Sequence, residues 1–557
     1  MTTAAITTDQ KRTPREILVA LSGLIMGMFV AVLSGTVVST SLPRIIADLG
    51  GDQTAYTWVI TASLLATAVS TPIWGKLSDL LDRKLLLQLA LSIFVLATVA
   101  AGFSQNTTML IALRVVQGIG VGGLLSLVFV AVALIISPRE RGKYMGIVGA
   151  VMSVATIGGP LIGGVITDAF GWRANFFVGV PFAIAAILII QKTLHLPRGT
   201  RDRVIIDYLG AALLTVGVSL LLIWVSLGGT QFEWNSMPSY LMIGGAVLAL
   251  LAFVFTEFKV AEPIVPMTLF TNRTFTLAVI ASIAVGVAMF ASSVFLAQYF
   301  QLARGANPTQ SGLMTIPMVA GQLVASILIG QFISRFGAWK RWMVTGSVLI
   351  LAGVSLLSTL RYDTDFLLVS AYMVVLGAGL GMVMQNLTLV VQNDTPVAQL
   401  GAASANVNFF RSVAGAIGVT VMGSILASQV TSHITASLKT FVPKSQAEID
   451  ALKGLASGTL PKVSELPDTV RVIVESAYGN GIADSFMIAI PLALISLIAI
   501  IFLPNKSLST KTASQTLAEN AEDRAIGLAE AEVGAATGSI SAVTADVAVG
   551  QRSGNDR

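Results

Sequence analysis

The chain has 557 residues, of which 54% are hydrophobic and 11% charged, with a net charge of +5, two histidines and no cysteine. A soluble surface needs about 25% charged residues, so this composition excludes a soluble globular protein and indicates a polytopic membrane protein. The absence of cysteine excludes disulfides and thiolate chemistry, and the small net charge gives no reason to expect a nucleic-acid partner.

Fourteen apolar runs, each long enough to span a membrane, follow one another along the chain. They cover residues 17–41, 55–77, 85–103, 108–136, 145–169, 176–196, 207–227, 240–257, 276–302, 310–333, 342–360, 366–391, 401–427 and 485–503. Residues 1–16 are predicted to be a polar tail and not a cleaved signal, because the first apolar run is too long. Residues 504–557 are predicted to be a disordered tail.

Lysine and arginine in the short loops predict the orientation. With a cytoplasmic N-terminus, the N-terminal segment and the loops on its side hold eighteen of these residues, and the opposite short loops hold four. We therefore predict a multi-pass protein with cytoplasmic termini, surrounded by membrane lipids.

A charged turn over residues 75–84 joins spans 2 and 3. Asp79 is placed to accept hydrogen bonds from helix-end N–H groups, while Arg83 and Lys84 complement the C-terminal dipoles of helices. The alternative is an ordinary positive loop. In span 1, the hydroxyl of Ser34 either lines a cavity or packs against its own helix.

Span 4 contains a charge where hydrocarbon is expected. Arg114 lies in an otherwise uncharged run, and an ionisable residue within a membrane span is a candidate functional site. Gln117 and the glycines of 118–123 mark its helix face as buried between helices. The alternative is that Arg114 snorkels to the outer end of the span, roughly 9 Å away.

Span 5 carries Gly159 and Pro160 within a run of four glycines, which predicts a bendable, closely packed helix interface. Later spans place polar and aromatic residues where a substrate cavity could lie: Phe295, Gln298, Tyr299, Gln322, Gln385, Asn386, Asn408 and Arg411. Arg411 is too deep to snorkel and needs a partner or water. For the aromatic residues, a lipid-facing belt is an equal alternative.

The two halves of the chain repeat each other. The turn 330–341 has a pattern similar to that of the turn 75–84, and the glycines of 377–381 repeat the spacing of those in 118–122. We therefore predict an N-terminal six-helix bundle (17–196), an inserted helix pair with its flanking loop (197–257) and a C-terminal six-helix bundle (258–503). The last includes an extracytoplasmic segment (428–484) with short helices at 445–455 and 468–477. A duplicated bundle with a site between its halves is typical of transporters.

Three stretches resemble motifs of the major facilitator superfamily. Residues 75–84 resemble its motif A, residues 110–120 its motif B, and Gly159 to Gly164 its antiporter motif C. With fourteen spans, the chain is similar to the 14-helix drug:proton antiporters, the class of the EmrB and QacA exporters. The resemblance implies an all-α integral membrane protein with the major facilitator fold, two six-helix bundles and two extra central helices. It further implies a monomer in the cytoplasmic (inner) membrane of a bacterium.

Three positions depart from that family pattern. Ser34 occupies the place of the usual acid in the helix-1 motif, and in motif A Leu80 replaces an Arg and Asp82 a Gly. The remaining acids all lie near span ends or in loops and tails. Asp79, Asp168 and Asp394 are therefore only poor candidates for carrying a proton.

The resemblance implies a multidrug efflux antiporter that exports small amphipathic organic compounds by alternating access, in exchange for protons, and so confers antibiotic resistance. It implies no enzyme activity, no metal and no cofactor, with the proton motive force as the energy source and Arg114 taking part in coupling. Two buried arginines without a buried acid favour neutral, zwitterionic or anionic substrates. The alternatives are a lipid or glycolipid exporter of the same fold, or a nutrient importer or facilitator.

Overall fold

Helices account for nearly all regular structure in the computed structural model. It describes residues 14–50, 53–194, 196, 206–229, 231–306, 308–438, 445–446, 448, 466–513, 515–516 and 519. Across these residues the only β pairing is one isolated bridge between Gly228 and Phe232. The predicted all-α membrane class is confirmed.

Sixteen α-helices are described, several of them longer than the apolar runs. They are α1 (Pro14–Asp48), α2 (Gln53–Leu80), α3 (Arg83–Gly102), α4 (Thr107–Ile135), α5 (Pro138–Phe170), α6 (Ala174–Val178), α7 (Val180–Thr193), α8 (Tyr208–Leu227), α9 (Met237–Glu257), α10 (Arg273–Gln298), α11 (Pro308–Met314), α12 (Ile316–Phe336), α13 (Trp339–Leu357), α14 (Phe366–Asn393), α15 (Leu400–Leu438) and α16 (Asp468–Ile501). Short 3₁₀ or π turns cover Met267–Thr271, Tyr299–Ala303 and Val397–Gln399.

Thirteen segments of the described residues are long and apolar enough to cross a membrane. The helix α5, with 33 residues, is a further one of sufficient length. A long helix therefore lies at each of the fourteen predicted spans. Hydropathy marks only the lipid-matched part of a helix, which explains why α1, α15 and α16 extend beyond the predicted ends.

The segment between the last two spans differs from its prediction. The predicted short helix at 468–477 is instead the beginning of α16, and α15 continues to Leu438, so much of the segment 428–484 is helix continuous with the spans. The predicted helix at 445–455 lies almost wholly outside the described residues. So do residues 1–13 and most of the tail after residue 504.

Short turns at one end of the bundle are built by local capping. The Asp82 carboxylate accepts from the backbone N–H groups of Lys84 (2.9 Å) and Leu85 (3.1 Å), so α3 begins immediately after α2. Gly337, with φ of 70°, ends α12 in the left-handed conformation that glycine adopts without strain. We call this end of the molecule, where α2 meets α3, α4 meets α5, α12 meets α13 and α14 meets α15, the basic end.

The two halves repeat one packing pattern. In the first half α4 packs on α2 and α3, and α1 packs on α5 and α7; in the second, α14 packs on α12 and α13, and α10 packs on α15 and α16. The sequence duplication is therefore a structural duplication. The inserted helices α8 and α9 pack mainly on each other, and α8 also contacts α2 and α15.

The halves meet through α2 against α15 and α5 against α12, a pair of contacts that the duplication relates to each other. Both contacts bring glycine to glycine. A Cβ on Gly75 would lie 2.8 Å from the carbonyl oxygen of Gly401, and one on Gly142 would lie 2.8 Å from that of Gly330. All four glycines belong to the basic end, so the halves are closed on each other there.

We expect Gly75→Ala and Gly401→Ala to open this closure. Ser126 is fully buried beside Gly75, and because the natural chain lacks cysteine, Ser126→Cys would supply a single thiol. Either alanine should raise the rate at which a water-soluble maleimide labels this thiol several-fold. Gly164→Ala is the matched control, because a Cβ there would meet no atom within 4 Å. Unchanged labelling in both test variants would contradict the closure.

Candidate functional site

Arg114 lies inside the first half and not at its surface. Its side chain is 5% exposed, its Nη1 donates to Gln117 Oε1 at 2.5 Å, and its Nε donates to the Val59 carbonyl oxygen at 3.4 Å. Snorkelling toward the headgroups is therefore excluded for this conformation. The glycines after it allow this burial, since a Cβ on Gly118 would overlap the backbone of Ser63 on α2.

Gln117 connects this arginine to two further helices. Its Nε2 donates to Ser34 Oγ on α1 (3.0 Å) and to Thr98 Oγ1 on α3 (2.8 Å). The predicted residues Arg114, Gln117 and Ser34 thus form one buried hydrogen-bonded chain. No acid among the described residues forms an ion pair with Arg114, so its charge is stabilised by neutral dipoles alone.

Asp79 joins the two halves at the basic end. Its Oδ1 accepts from Gly401 N and its Oδ2 from Ala402 N, both at 2.9 Å, at the first turn of α15. A carboxylate at a helix N-terminus is stabilised by exposed N–H groups and by the helix dipole. The predicted helix-end role of Asp79 is confirmed, and the helix concerned belongs to the other half.

The two cations of the same turn occupy different environments. Lys84 Nζ donates to the Gln191 carbonyl oxygen at 2.7 Å, in the last turn of α7, as a cation at a helix C-terminus should. Arg83 is 7% exposed, and its Nε has no hydrogen-bond partner. The charges of Asp79 and Asp82 lie near it.

The burial of Arg141 was missed by the sequence analysis. Arg141 is 2% exposed; its Nη1 donates to Gln392 Oε1 on α14 (2.6 Å), and its Nη2 donates to the carbonyl oxygens of Ala133 and Ile136 (both 3.0 Å). It therefore ties the C-terminus of α4 to the second half. Its position near a basic loop made it look like an orientation signal, and Gln392, a polar residue at the end of a span, was the available clue.

Arg411 is the buried arginine of the second half. It is 3% exposed, its Nη1 donates to Asn408 Oδ1 at 3.0 Å, and its Nη2 donates to the Met384 carbonyl oxygen at 3.1 Å. Gly286 on α10 lies directly against it, because a Cβ there would be 3.0 Å from the Arg411 carbonyl carbon. The structure brings Arg411 and Asn408 together as predicted, and Met384 places Arg411 against α14.

Several polar atoms around α14 and α15 have no hydrogen-bond partner. Among the described residues they include Arg411 Nε, Gln385 Oε1, Thr388 Oγ1 and Asn406 Oδ1, all of buried residues. Asn386 is buried too, but its Nδ2 donates to the Met382 carbonyl oxygen within its own helix. Unsatisfied buried polar groups are costly, so water or a polar ligand group would be stabilised beside any of these atoms.

The remaining predicted cavity residues lie elsewhere in the second half. Phe295 and Tyr299 are almost fully buried in its apolar core, and the Tyr299 hydroxyl donates to the Arg361 carbonyl oxygen at 2.6 Å. Gln298 and Gln322 are half-buried. A lipid-facing belt is therefore excluded for both aromatic residues, while a substrate contact by any of the four stays a prediction.

The glycine-rich part of α5 packs closely on α1. A Cβ on Gly159 would overlap Thr36 Oγ1, and one on Gly163 would lie 3.0 Å from the Val37 carbonyl oxygen. The predicted close interface is present at Gly159. The side chain of Pro160 lies outside the described residues.

Three of the cavities that border the described residues can be placed by the residues lining them. One of about 400 Å³ between α10, α15 and α16 is lined by apolar residues such as Phe410 and Ile417, and one of about 270 Å³ lies between α8 and α15 beside Trp224. The third, of about 510 Å³, lies at the basic end beside Lys76 and Glu257. The residues predicted to bind substrate line none of these three.

Asp394 forms an ion pair with Lys506 at the basic end. Partial burial opposes its ionisation, but the hydrogen bond and charge of Lys506, whose Nζ lies 2.6 Å from Oδ1, outweigh this and hold the pKa of Asp394 below its usual value. It therefore stays ionised at neutral pH. The side chain of Asp168 lies outside the described residues.

Comparison with known proteins gives one consistent result. The family model described as "Major Facilitator Superfamily" matches residues 24–419. The multidrug transporter protein MdtP of Bacillus subtilis (strain 168) is 32% identical over 81% of this chain and 83% of its own length. Multidrug resistance protein 3 of the same organism is 28% identical over 89% of this chain and 97% of its own. The solved proton:xylose symporter XylE has a TM-score of 0.56 at 17% identity, covering 90% of this chain and 98% of its own.

The stabilisation of Arg114 by Gln117 can be tested by substitution. Gln117→Leu removes the Oε1 acceptor and leaves the buried guanidinium with the long bond to Val59, so we expect the free energy of unfolding to fall by about 1–3 kcal/mol. Ser34→Ala should cost less, since Gln117 Nε2 keeps its bond to Thr98. SDS-induced unfolding of the purified protein measures both. Equal stability of all three proteins would show that Gln117 does not stabilise Arg114.

Proposed function

Since the chain belongs to the major facilitator superfamily, we propose that it is a proton-coupled multidrug efflux antiporter, exporting small amphipathic organic compounds by alternating access. That it is a membrane transporter and not an enzyme follows from the family and from the transporters it resembles. The direction of transport, the coupling ion and the substrate class are the parts that we propose.

The names of its relatives support export. The two Bacillus subtilis relatives are called a multidrug transporter and a multidrug resistance protein, and an efflux pump of Dothistroma septosporum is 30% identical over 89% of this chain. Small organic substrates follow as the class to expect. The glycine run around Gly159, which packs on α1, is the feature that resembles the antiporter motif.

The closed basic end supports alternating access. If the basic end is cytoplasmic, as the lysine and arginine distribution predicts, the glycine contacts and the Asp79 bond to α15 hold the transporter shut toward the cytoplasm. Opening would then require α2 to separate from α15, and α5 from α12. Two duplicated halves with paired contacts of this kind are suited to rocking about a central site.

The observation that carries the proposal is the pair of arginines buried within the spans, Arg114 in the first half and Arg411 in the second, each held by neutral partners. A guanidinium without a counter-ion attracts hydrogen-bond acceptors and repels protons. Both arginines are therefore suited to interact with a substrate or with a proton in transit. Arg114 bonds through Gln117 to Ser34, the position where the resembled family has an acid. Arg411 keeps an unpartnered Nε.

We expect proteoliposomes containing the protein to show a pH change inside when substrate crosses against a proton gradient. Norfloxacin, which is zwitterionic and fluorescent, is a suitable probe, with a pH-sensitive dye in the lumen. Arg114→Ala should abolish the coupled pH change because it removes the buried charge. Ser34→Asp should retain it and shift its pH dependence, since it restores a titratable group beside Gln117.

Arg335→Ala is the control for losing one positive charge, because Arg335 is exposed at the basic end. It should transport as the unaltered protein does. Norfloxacin movement without any pH change would overturn antiport. Movement of a fluorescent lipid with no movement of any soluble probe would instead favour the lipid exporter.

Substrate charge provides a second test. Because the two buried arginines within the spans have no acidic partner among the described residues, we expect chloramphenicol and norfloxacin, neutral and zwitterionic, to be transported better than the dication dequalinium. Competition against norfloxacin uptake into inverted vesicles measures the order. A clear preference for the dication would contradict the proposed role of the arginines.

A further inference from the structure

Two buried acids face each other at the base of the inserted helix pair. Asp207 precedes α8 and is 6% exposed, and Glu257 ends α9 and is 3% exposed. A Cβ on Gly210 would overlap Asp207 Oδ2 and would lie 2.9 Å from Glu257 Oε1. The two oxygens therefore converge on one point, and glycine at position 210 is what leaves the space between them.

Each carboxyl group is satisfied on one oxygen only. Asp207 Oδ1 accepts from Gly210 N at 2.7 Å, and Glu257 Oε2 accepts from Val265 N at 3.0 Å. The facing oxygens, Asp207 Oδ2 and Glu257 Oε1, are buried and have no hydrogen-bond partner in the described part of the chain. No cation of the described residues forms an ion pair with either group.

Two ionised carboxylates are acceptors only, so neither can satisfy the other. A single hydrogen between them supplies the missing donor and removes one of two like charges that share a site away from water. We propose that Asp207 and Glu257 together form a proton-binding site that holds one shared proton in this conformation.

Charged neighbours place the site beside the closed end of the transporter. Glu257 lines the cavity of about 510 Å³ together with Lys76, which gives water and protons access from the basic end. Lys76 is the cation near Glu257 and is also near Asp79. Its Nζ is paired with Glu262 Oε2 at 2.7 Å.

Loss of the shared proton would leave two negative charges next to Lys76. The lysine would then be drawn from Glu262 toward the pair, and it lies one turn from Asp79, which holds α2 to α15. Proton occupancy and closure of the basic end are linked in this way. The site rests on the proposed antiport only in that its proton would be the one exchanged.

Infrared spectroscopy of the full-length protein in lipid nanodiscs tests the site directly. The unaltered protein should show a protonated-carboxyl C=O band that is lost on titration to alkaline pH. Asp207→Asn and Glu257→Gln should each remove this band, since the new amide donates to the remaining carboxylate and replaces the proton. Asn also retains the capping oxygen for α8. Asp365→Asn, at the exposed cap of α14, is the matched control and should leave the band unchanged.

Gly210→Ala gives an independent variant with both acids present. By forcing the carboxyl groups apart, it should shift the titration of the band to lower pH. A band that persists in the Asp207→Asn, Glu257→Gln double variant would overturn the proposal, as would one in the unaltered protein that responds to sodium or potassium at fixed pH.

The same proteins separate this proposal from the proposed function. A titrating band without any norfloxacin-driven pH change in proteoliposomes would contradict antiport and support the proton-binding site. A norfloxacin-driven pH change without the band would support antiport and contradict the proton-binding site.

Discussion

The free-energy cost of burying positive charge between helices is the main physical constraint on this structure. Arg114, Arg141 and Arg411 are each at most 5% exposed, and each is stabilised by amide and carbonyl oxygens and not by a carboxylate. Neutral dipoles stabilise a guanidinium only when several of them are held in position, so each arginine fixes the relative placement of neighbouring helices. The polar framework and the helix packing are therefore one arrangement.

The acids complement this arrangement by lying at helix ends. Asp79 is stabilised by N–H groups of α15, Asp82 caps α3, and Asp207 caps α8. These positions look structural in sequence, where an acid next to a loop is ordinary. Asp79 and Asp207 each meet a partner from a distant segment, the start of α15 for Asp79 and Glu257 for Asp207, and these contacts indicate a role beyond capping. Glu257 approaches Asp207 only because Gly210 leaves room.

Much of the fold was predictable because lipid imposes a simple rule on sequence. The fourteen spans, their duplication and the burial of Arg114 and Arg411 follow from hydropathy, repeated glycines and the rarity of charge in hydrocarbon. Long-range partners did not follow: nothing local connects Arg141 with Gln392, or Asp207 with Glu257. Helix ends were also misplaced where polar residues continue a helix beyond the membrane, as in the first ten residues of α16.

The duplication is imperfect in one informative place. Gly75 and Gly330 occupy equivalent positions in the two halves, yet the residue four places on is Asp79 in one and Ser334 in the other. One seam between the halves is consequently held by the Asp79 carboxylate on the N–H groups of α15, whereas at its twin glycine packs on glycine beside the hydrogen bond from Arg141 to Gln392. The two seams therefore depend on charges of opposite sign: loss of the negative charge of Asp79 would loosen the first seam and leave the second, which lies beside the positive charge of Arg141, in contact.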